Sequence, residues 1–215
     1  MKEEKIVWAT GVLWGSTVSF GFRSDTHMDD HPDQEETFKQ YDLIAEGKPV
    51  DETWIPKSMW ASYLIKPGRL KKVPKLHLFS PAGYWAVSKK FGDLLRQFQL
   101  GQTKFYPLEL LHHDKETPVE GDYEYLNICE HKSAFEPDQS KNHDTDKFPS
   151  GRPLYTMTNV VKDYDLVLND EACDGADVWL DPNLHSVLFL SGEIVKALKA
   201  SGFSKQLELV KCRVL

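Results

Sequence analysis

The chain has 215 residues, of which 40% are hydrophobic and 12% aromatic, and its formal net charge at pH 7 is −7. This length can form one large or two small domains without a disulfide or metal staple, and the composition excludes a disordered chain. The acidic balance argues against nonspecific binding to nucleic acids and is compatible with a basic protein partner.

The three cysteines, Cys129, Cys173 and Cys212, show neither a paired framework nor a C-x-x-C spacing. An odd number of cysteines without a secretory signal indicates a reducing cytoplasm. The apolar stretch at residues 5–22 is interrupted by glycine and serine. It is therefore too short for a membrane span and predicts a pair of β-strands.

The remainder of the N-terminal segment is less regular. Residues 23–38 are acidic and polar and predict an exposed loop, whereas residues 41–62 carry aromatic residues without a clean period. We therefore interpret residues 1–72 as a β-rich segment that packs on a larger domain, residues 73–215.

Two segments of the larger domain, residues 76–111 and 178–211, share one pattern. Each runs from an apolar strand through a serine and an amphipathic helix to a glycine and a second strand. Ser88 and Ser191 occupy equivalent places, where a serine side chain caps a helix N-terminus. The pattern predicts an internal duplication of a strand-helix-strand unit. With few helices and many strands, the predicted class is α+β with mostly antiparallel sheet.

The second strand of each unit has an irregularity. Pro107 cannot donate a ladder hydrogen bond, so its strand is expected to be kinked or at an edge. In the other unit the alternation of apolar residues shifts by one position within residues 206–215, which predicts a bulge. Gly92 lies inside the first helix and weakens it by about 1 kcal/mol relative to alanine.

Between the two units the chain alternates loops and short strands. Residues 112–121 predict a loop and residues 123–129 a strand. Residues 130–153 contain few large apolar residues and predict a long excursion. Short strands are expected at residues 154–157 and 166–168.

The candidate metal ligands are histidines. His27 and His31 have the i, i+4 spacing of a helical metal site, but Pro32 indicates a loop. His112 and His113 are adjacent and would point to opposite faces of an extended chain. His27 and His31 lie among Asp25, Asp29 and Asp30. A metal-dependent enzyme that uses this His/Asp cluster is one alternative function.

No other catalytic motif is present. Neither capping serine lies in the G-x-S-x-G motif of a nucleophile elbow, and the phosphate and dinucleotide glycine motifs are missing from the sequence. The sequence therefore predicts no catalytic residue and no cofactor.

One charge asymmetry stands out, because residues 163–181 contain seven acids and no Lys or Arg. The run is interpreted either as solvated turns or as a docking surface on which acids steer a basic partner and an aromatic residue anchors it. The candidate partner-binding residues are Asp163, Asp165, Asp170, Glu171, Asp174, Asp177 and Trp179.

The order of these motifs resembles a bacterial immunity protein family, found beside polymorphic-toxin genes and typified by a myxobacterial protein. The resemblance extends over roughly residues 40–215. It is carried by residues 85–88, 105–110, 123–128, 166–170 and 188–191, where the capped helices and the strands F-Y-P-L-E-L, Y-E-Y-L-N-I and L-V-L-N-D occur.

The resemblance implies a cytoplasmic protein without a cofactor that binds a cognate toxin domain and neutralises it. Such a toxin is expected to be basic, since many toxin domains act on nucleic acids, and neither nucleic acid nor membrane is expected as a direct partner. A non-catalytic scaffold protein of the same fold is the second alternative function.

Overall fold

The computed structural model describes residues 6–10, 19–20, 22–24, 33–61, 77–81, 84–147, 151–158 and 160–215. The α-helices in this part of the chain are α1 Gln34–Ala45, α2 Lys89–Leu95 and α3 Gly192–Ala200. The first eight strands are β1 Val7–Thr10, β2 Ser19–Phe20, β3 Phe22–Ser24, β4 Ser58–Ala61, β5 Leu78–Pro81, β6 Ala86–Ser88, β7 Lys104–Leu111 and β8 Tyr123–Asn127. The remaining strands are β9 His143–Lys147, β10 Pro153–Met157, β11 Val167–Leu168, β12 Val178–Leu180, β13 Leu188–Ser191, β14 Val210–Lys211 and β15 Arg213–Val214.

The predicted α+β class with mostly antiparallel sheet is confirmed. The larger sheet has seven strands in the order β2-β5-β6-β8-β7-β4-β3, and the second has four in the order β12-β13-β1-β14. Two small two-stranded sheets, β9 with β10 and β11 with β15, complete the described strands. Parallel pairing occurs between β2 and β5, β4 and β7, and β11 and β15.

The two strand-helix-strand units have the same local topology. In the first, β6 leads into α2 and the chain returns as β7, with β8 paired between β6 and β7. In the second, β13 leads into α3 and the chain returns as β14, with β1 paired between β13 and β14. Both inserted strands are antiparallel to their neighbours. The origin of the two units by duplication stays a prediction.

Each unit begins its helix with the predicted serine cap. The Ser88 hydroxyl accepts a hydrogen bond from the Phe91 N–H and the Ser191 hydroxyl from the Ile194 N–H, both at 3.4 Å. A serine in this position satisfies one of the N–H groups that a helix N-terminus leaves without a partner. The predicted capping role of both serines is confirmed.

The helices α2 and α3 share one hydrophobic core with both large sheets. Their buried residues face each other and the two sheets; they are Phe91, Leu94 and Leu95 from α2, and Ile194, Val195 and Leu198 from α3. The sheets contribute apolar side chains from β6 and β8 on one side and from β12 and β13 on the other. Burial of this kind stabilises a fold by about 1.5–3 kcal/mol for each large apolar side chain.

The opposite face of each sheet is covered as well. Phe135, Leu166 and Leu168 pack on the four-stranded sheet against Val7 and Phe189. On the seven-stranded sheet the outer core is formed around β4, β6, β7 and β8 with Ile44 from α1. Covering both faces explains why β8 is buried along its whole length.

The N-terminal segment departs from the sequence-based expectation in two ways. The strands β1 and β2 exist but do not pair with each other, because β1 joins the four-stranded sheet and β2 the seven-stranded one. The division of the chain at residue 72 stays a prediction. The predicted loop at 23–38 is wrong where it is described, since β3 ends at Ser24 and α1 begins after Asp33, whose carboxylate accepts from the Glu36 N–H at 3.0 Å.

The helix α1 has no clean apolar face, which is why its period is weak in the sequence. Thr37 and Gln40 are buried on the same side as Ile44. The Thr37 hydroxyl donates to the Asp33 carbonyl at 2.6 Å, and the Gln40 amide donates to the Glu36 carboxylate at 2.6 Å. Thr37 and the Gln40 amide N–H group are thus bonded within the helix, whereas the buried Gln40 side-chain oxygen accepts no hydrogen bond from the described residues.

The last strand is divided rather than bulged. The segment at 206–209 is not strand; β14 pairs with β1, and β15 pairs in parallel with β11. The shift in alternation, between Leu209 and Val210, therefore marks the start of β14, and the pairing partner changes farther along at Cys212, which lies between the two short strands. Pro107 is exposed, and β4 pairs only with residues 109–111 of β7, so the expected edge at Pro107 is observed.

The glycine inside α2 is explained by an ion pair beneath it. The Arg96 guanidinium donates to both carboxylate oxygens of Glu124 at 2.9 and 2.7 Å, and it lies 4.0 Å from the centroid of the Phe105 ring. A Cβ atom on Gly92 would lie 2.5 Å from the Glu124 carboxylate. The glycine therefore lets α2 approach β8 closely enough to enclose this pair.

We expect Gly92→Ala to destabilise the protein by about 1–3 kcal/mol, although alanine is the better helix former. The added methyl group must displace the Glu124 carboxylate from the Arg96 guanidinium. Urea denaturation followed by circular dichroism measures the change. Lys90→Ala is the control, because Lys90 is exposed on the same helix. A Gly92→Ala protein as stable as the control would show that the close approach is not required.

Candidate partner-binding surface

The first two acids of the run are structural. The Asp163 carboxylate accepts a hydrogen bond from the Lys211 N–H at 2.8 Å. The Asp165 carboxylate accepts from the Lys162 N–H and from the Asn142 side-chain amide, both at 2.8 Å. Both carboxylates fix the backbone of the turn at residues 162–165.

The next three acids lie on the surface. Asp170 and Glu171 are exposed in the short 3-10 helix Asp170–Cys173, and Asp174 is exposed directly after it. The Asn169 side chain caps this helix by accepting from the Glu171 N–H at 3.0 Å. Within the described residues, neither the Asp170 nor the Glu171 carboxylate accepts a hydrogen bond, so both charges face solvent.

Asp177 joins the acidic run to the first unit. Its carboxylate accepts from the Gln99 N–H at 2.9 Å, and its own N–H donates to the Gln99 carbonyl at 2.7 Å. Its carbonyl accepts from the Ser191 N–H at 2.9 Å. Asp177 therefore ties the end of β13 to the segment that follows α2.

Trp179 is in the core and not on the surface. Only 1% of the residue is exposed, and its ring stacks on Phe189 with a centroid separation of 4.2 Å and an interplanar angle of 10°. An aromatic anchor must offer its ring to the partner. The expected anchoring by Trp179 is therefore inconsistent with its burial. The ring packs in the same core cluster as Ala172, beneath residues 170–177, which we call the acidic loop.

A lysine from an earlier segment of the chain contacts the acidic loop. The Lys132 ammonium donates to the carbonyls of Ala172 and Ala176 at 3.2 and 3.0 Å and lies 4.9 Å from the centroid of the Trp179 ring. Burial lowers the pKa of Lys132, and this effect is opposed by nearby groups, including Asp174 and Asp177. No signal in the sequence identified Lys132, because 40 residues separate it from Ala172.

A cleft of about 610 Å³ lies between the acidic loop, the beginning of β1 and the first turns of α3. Trp179 contributes to its floor, while Asp177 and Glu193 contribute acids and Lys132 and Lys196 contribute cations. The cleft therefore carries charges of both signs. It lies at the end of the four-stranded sheet where β1 and β12 begin and β13 ends.

Tyr164 is the surface aromatic residue that the sequence analysis missed. It lies within the acidic run, between Asp163 and Asp165, and is 53% exposed. Its position between two acids was visible in the sequence. Trp179, by contrast, lies in β12, a short strand whose three residues are all buried.

The candidate metal ligands are not assembled in the described part of the chain. His112 and His113 lie at the start of a loop, and His27 and His31 fall outside the described residues. Among the described residues, no group of three His, Cys, Asp or Glu side chains could hold a metal ion.

The loop that contains these histidines is organised by a carboxylate. Asp114 accepts hydrogen bonds from the Thr117 hydroxyl at 2.6 Å and from the N–H groups of Thr117 and Glu116 at 2.9 and 3.1 Å. The bond from the Thr117 hydroxyl is the largest cause that lowers the pKa of Asp114 to about 2. The carboxylate therefore holds the turn at residues 114–117.

The model of the immunity protein family Imm11 matches residues 21–210. The chain belongs to this family. The match includes both strand-helix-strand units and every acid of the run, so the resemblance inferred from the motifs is confirmed. No curated protein matches the chain. Among the described residues, no helix of this Imm11 chain is long and apolar enough to cross a membrane.

We expect Lys132→Met to destabilise the Imm11 chain by about 1–3 kcal/mol, because two buried carbonyls lose their donor. Amide exchange at residues 172–177 should become faster than in the wild type. Hydrogen exchange with mass spectrometry measures both local and global opening. Lys196→Met is the control, since Lys196 lines the same cleft but is exposed. Equal exchange in the two variants would contradict a loop-holding role of Lys132.

We expect Thr117→Val to raise the pKa of Asp114 from about 2 toward its ordinary value, because the ionised carboxylate loses its strongest donor. Because the pKa of Asp114 is lower in the folded than in the unfolded protein, its ionised carboxylate stabilises the folded protein above about pH 4. This contribution is lost as the pH falls toward 2. Carboxyl resonances in an NMR pH titration measure the shift. Asp51 is the internal control, since its pKa is lowered by Thr53 and should not change.

Proposed function

We propose that this protein neutralises a cognate toxin domain by stoichiometric binding and performs no catalysis of its own. The observation that carries the proposal is the match to an immunity protein family over residues 21–210. All three cysteines are free thiols, which supports a reducing cytoplasm as the place of action. The toxin is expected to be encoded beside this protein, as in polymorphic toxin systems.

The acidic run is the proposed docking surface, with its members in different roles. Asp170, Glu171 and Asp174 are exposed and would face the partner. Asp163, Asp165, Asp177 and Trp179 would hold these residues in place, because their side chains already make hydrogen bonds or core contacts. Because the whole chain has a net charge of −7 at pH 7, we expect this acidic surface to steer a basic toxin domain toward the complex.

The binding part of the proposal is tested by co-expression with the product of the adjacent reading frame. The two proteins should elute together from a sizing column in equal amounts, and cells that express the toxin should survive only when this protein is present as well. Continued toxicity with separate elution would contradict the proposed function. A scaffold protein of the same fold would give no protection against the neighbouring product.

We expect the double variant Asp170→Lys, Glu171→Lys to associate roughly tenfold more slowly with the toxin domain at low salt. Its association rate should also depend less on ionic strength, because exposed charges act over about a Debye length. Stopped-flow measurements at two salt concentrations provide both values.

The control for the charge reversal is Glu35→Lys with Glu109→Lys. Both glutamates are exposed, one on α1 and one on β7, and the net charge changes by the same amount. If both double variants slow association equally, the effect belongs to the overall charge and not to residues 170–171. A melting curve of each variant checks that the fold is retained.

A further inference from the structure

Four large hydrophobic residues are exposed in the described part of the chain: Phe38, Val160, Tyr164 and Leu215. Val160 and Tyr164 lie four positions apart at the start of the acidic run, with 60% and 53% of each residue exposed. Exposed aromatic residues near charged ones are typical of binding surfaces, in which Tyr is overrepresented among the residues that carry the affinity.

The backbone of Tyr164 is in an unfavourable conformation for a residue with a side chain. Its φ is 69°, in the left-handed region that glycine and asparagine adopt most easily. The other non-glycine residues with positive φ in the described part of the chain are Lys115, Asn142, Ser186 and Glu208. Tyr164 is the aromatic member of this set. A strained residue persists only where its surroundings fix the backbone firmly.

The turn around Tyr164 is fixed by its neighbours. The Tyr164 N–H donates to the Lys211 carbonyl at 2.6 Å, and the Lys211 N–H donates to the Asp163 carboxylate at 2.8 Å. On the other side, Asp165 and Lys162 exchange two hydrogen bonds, at 3.1 and 2.8 Å. The carboxylates on both sides of the tyrosine therefore hold its backbone in place.

The ring of Tyr164 projects from this rigid turn. The Lys211 ammonium lies 5.2 Å from the ring centroid, so one part of the ring contacts a cation while more than half of the residue is exposed. A rigid aromatic side chain contributes a large contact area and loses little conformational entropy on binding. A strained, exposed tyrosine does not stabilise the turn that holds it, so these features favour a role in binding for Tyr164.

We propose that Tyr164 is the aromatic anchor of this protein for its toxin partner. It would insert into an apolar pocket on the toxin domain, with Val160 beside it. The toxin domain as a whole would be basic, since this protein has a net charge of −7. This inference rests on the proposed function and identifies the part of the surface that holds the toxin after encounter.

The test measures affinity and thermal stability together in four variants: Tyr164→Ala, Tyr164→Phe, Tyr164→Asn and Phe38→Ala. The probe is the toxin domain from the adjacent reading frame. We expect Tyr164→Ala to raise the Kd at least tenfold through faster dissociation, whereas Tyr164→Phe should stay within about threefold. Phe38→Ala is the control for removal of an exposed aromatic residue and should leave the Kd unchanged.

Tyr164→Asn separates a binding role from a structural one. Asparagine tolerates the left-handed conformation, so the melting temperature should be unchanged or raised while the Kd rises as in Tyr164→Ala. A lower melting temperature without a change in Kd would overturn the inference and make Tyr164 a structural residue.

The outcomes distinguish the inference from the proposed function. If the wild type binds the toxin and Tyr164→Ala binds equally well, the anchor is elsewhere and the proposed function stands. If the wild type forms no complex, the proposed function fails, and the inference that rests on it fails too.

Discussion

The contact between α2 and α3 is the constraint on which the rest of the fold depends. Both helices begin at a serine at the end of a strand, and both bury their apolar faces in one core that also includes side chains from the two large sheets. Neither unit could bury its helix in this way alone, because each helix is covered partly by the other unit. The two sheets are thereby held together, although no strand pairing joins them among the described residues.

The acidic surface depends on the same arrangement. Asp177 bonds to Gln99, which follows α2, and to Ser191, which precedes α3, so the end of the acidic loop is held by both units. Lys132 fixes the middle of the loop through two carbonyls. The exposed acids are thus presented by a loop whose backbone is bound at several points, which reduces the entropy lost when a partner binds.

Local features of the fold could be predicted from the sequence, whereas features that join distant segments could not. The serine caps and the strands next to them were predicted because their signals are local, and the family was recognised from the order of these local motifs along the chain. The insertion of β1 between β13 and β14 left no local pattern, since the partners are far apart in the chain. The burial of Trp179 depends in part on a distant segment: Phe189 is its partner in the neighbouring strand β13, whereas Phe135 belongs to the same core cluster but lies 44 residues before Trp179 in the chain.

The acids of the run differ in how easily they could be exchanged, and this difference follows from their hydrogen bonds. Replacing Asp163 or Asp165 would leave backbone N–H groups without their acceptor, which costs about 1–3 kcal/mol when such a group is buried and less at the surface. Among the described residues, no N–H group donates a hydrogen bond to the Asp170 or Glu171 carboxylate. Their charges can therefore change with little effect on folding. On the docking surface proposed above, the exposed charges could therefore change to match a different toxin while the turn that supports them is retained.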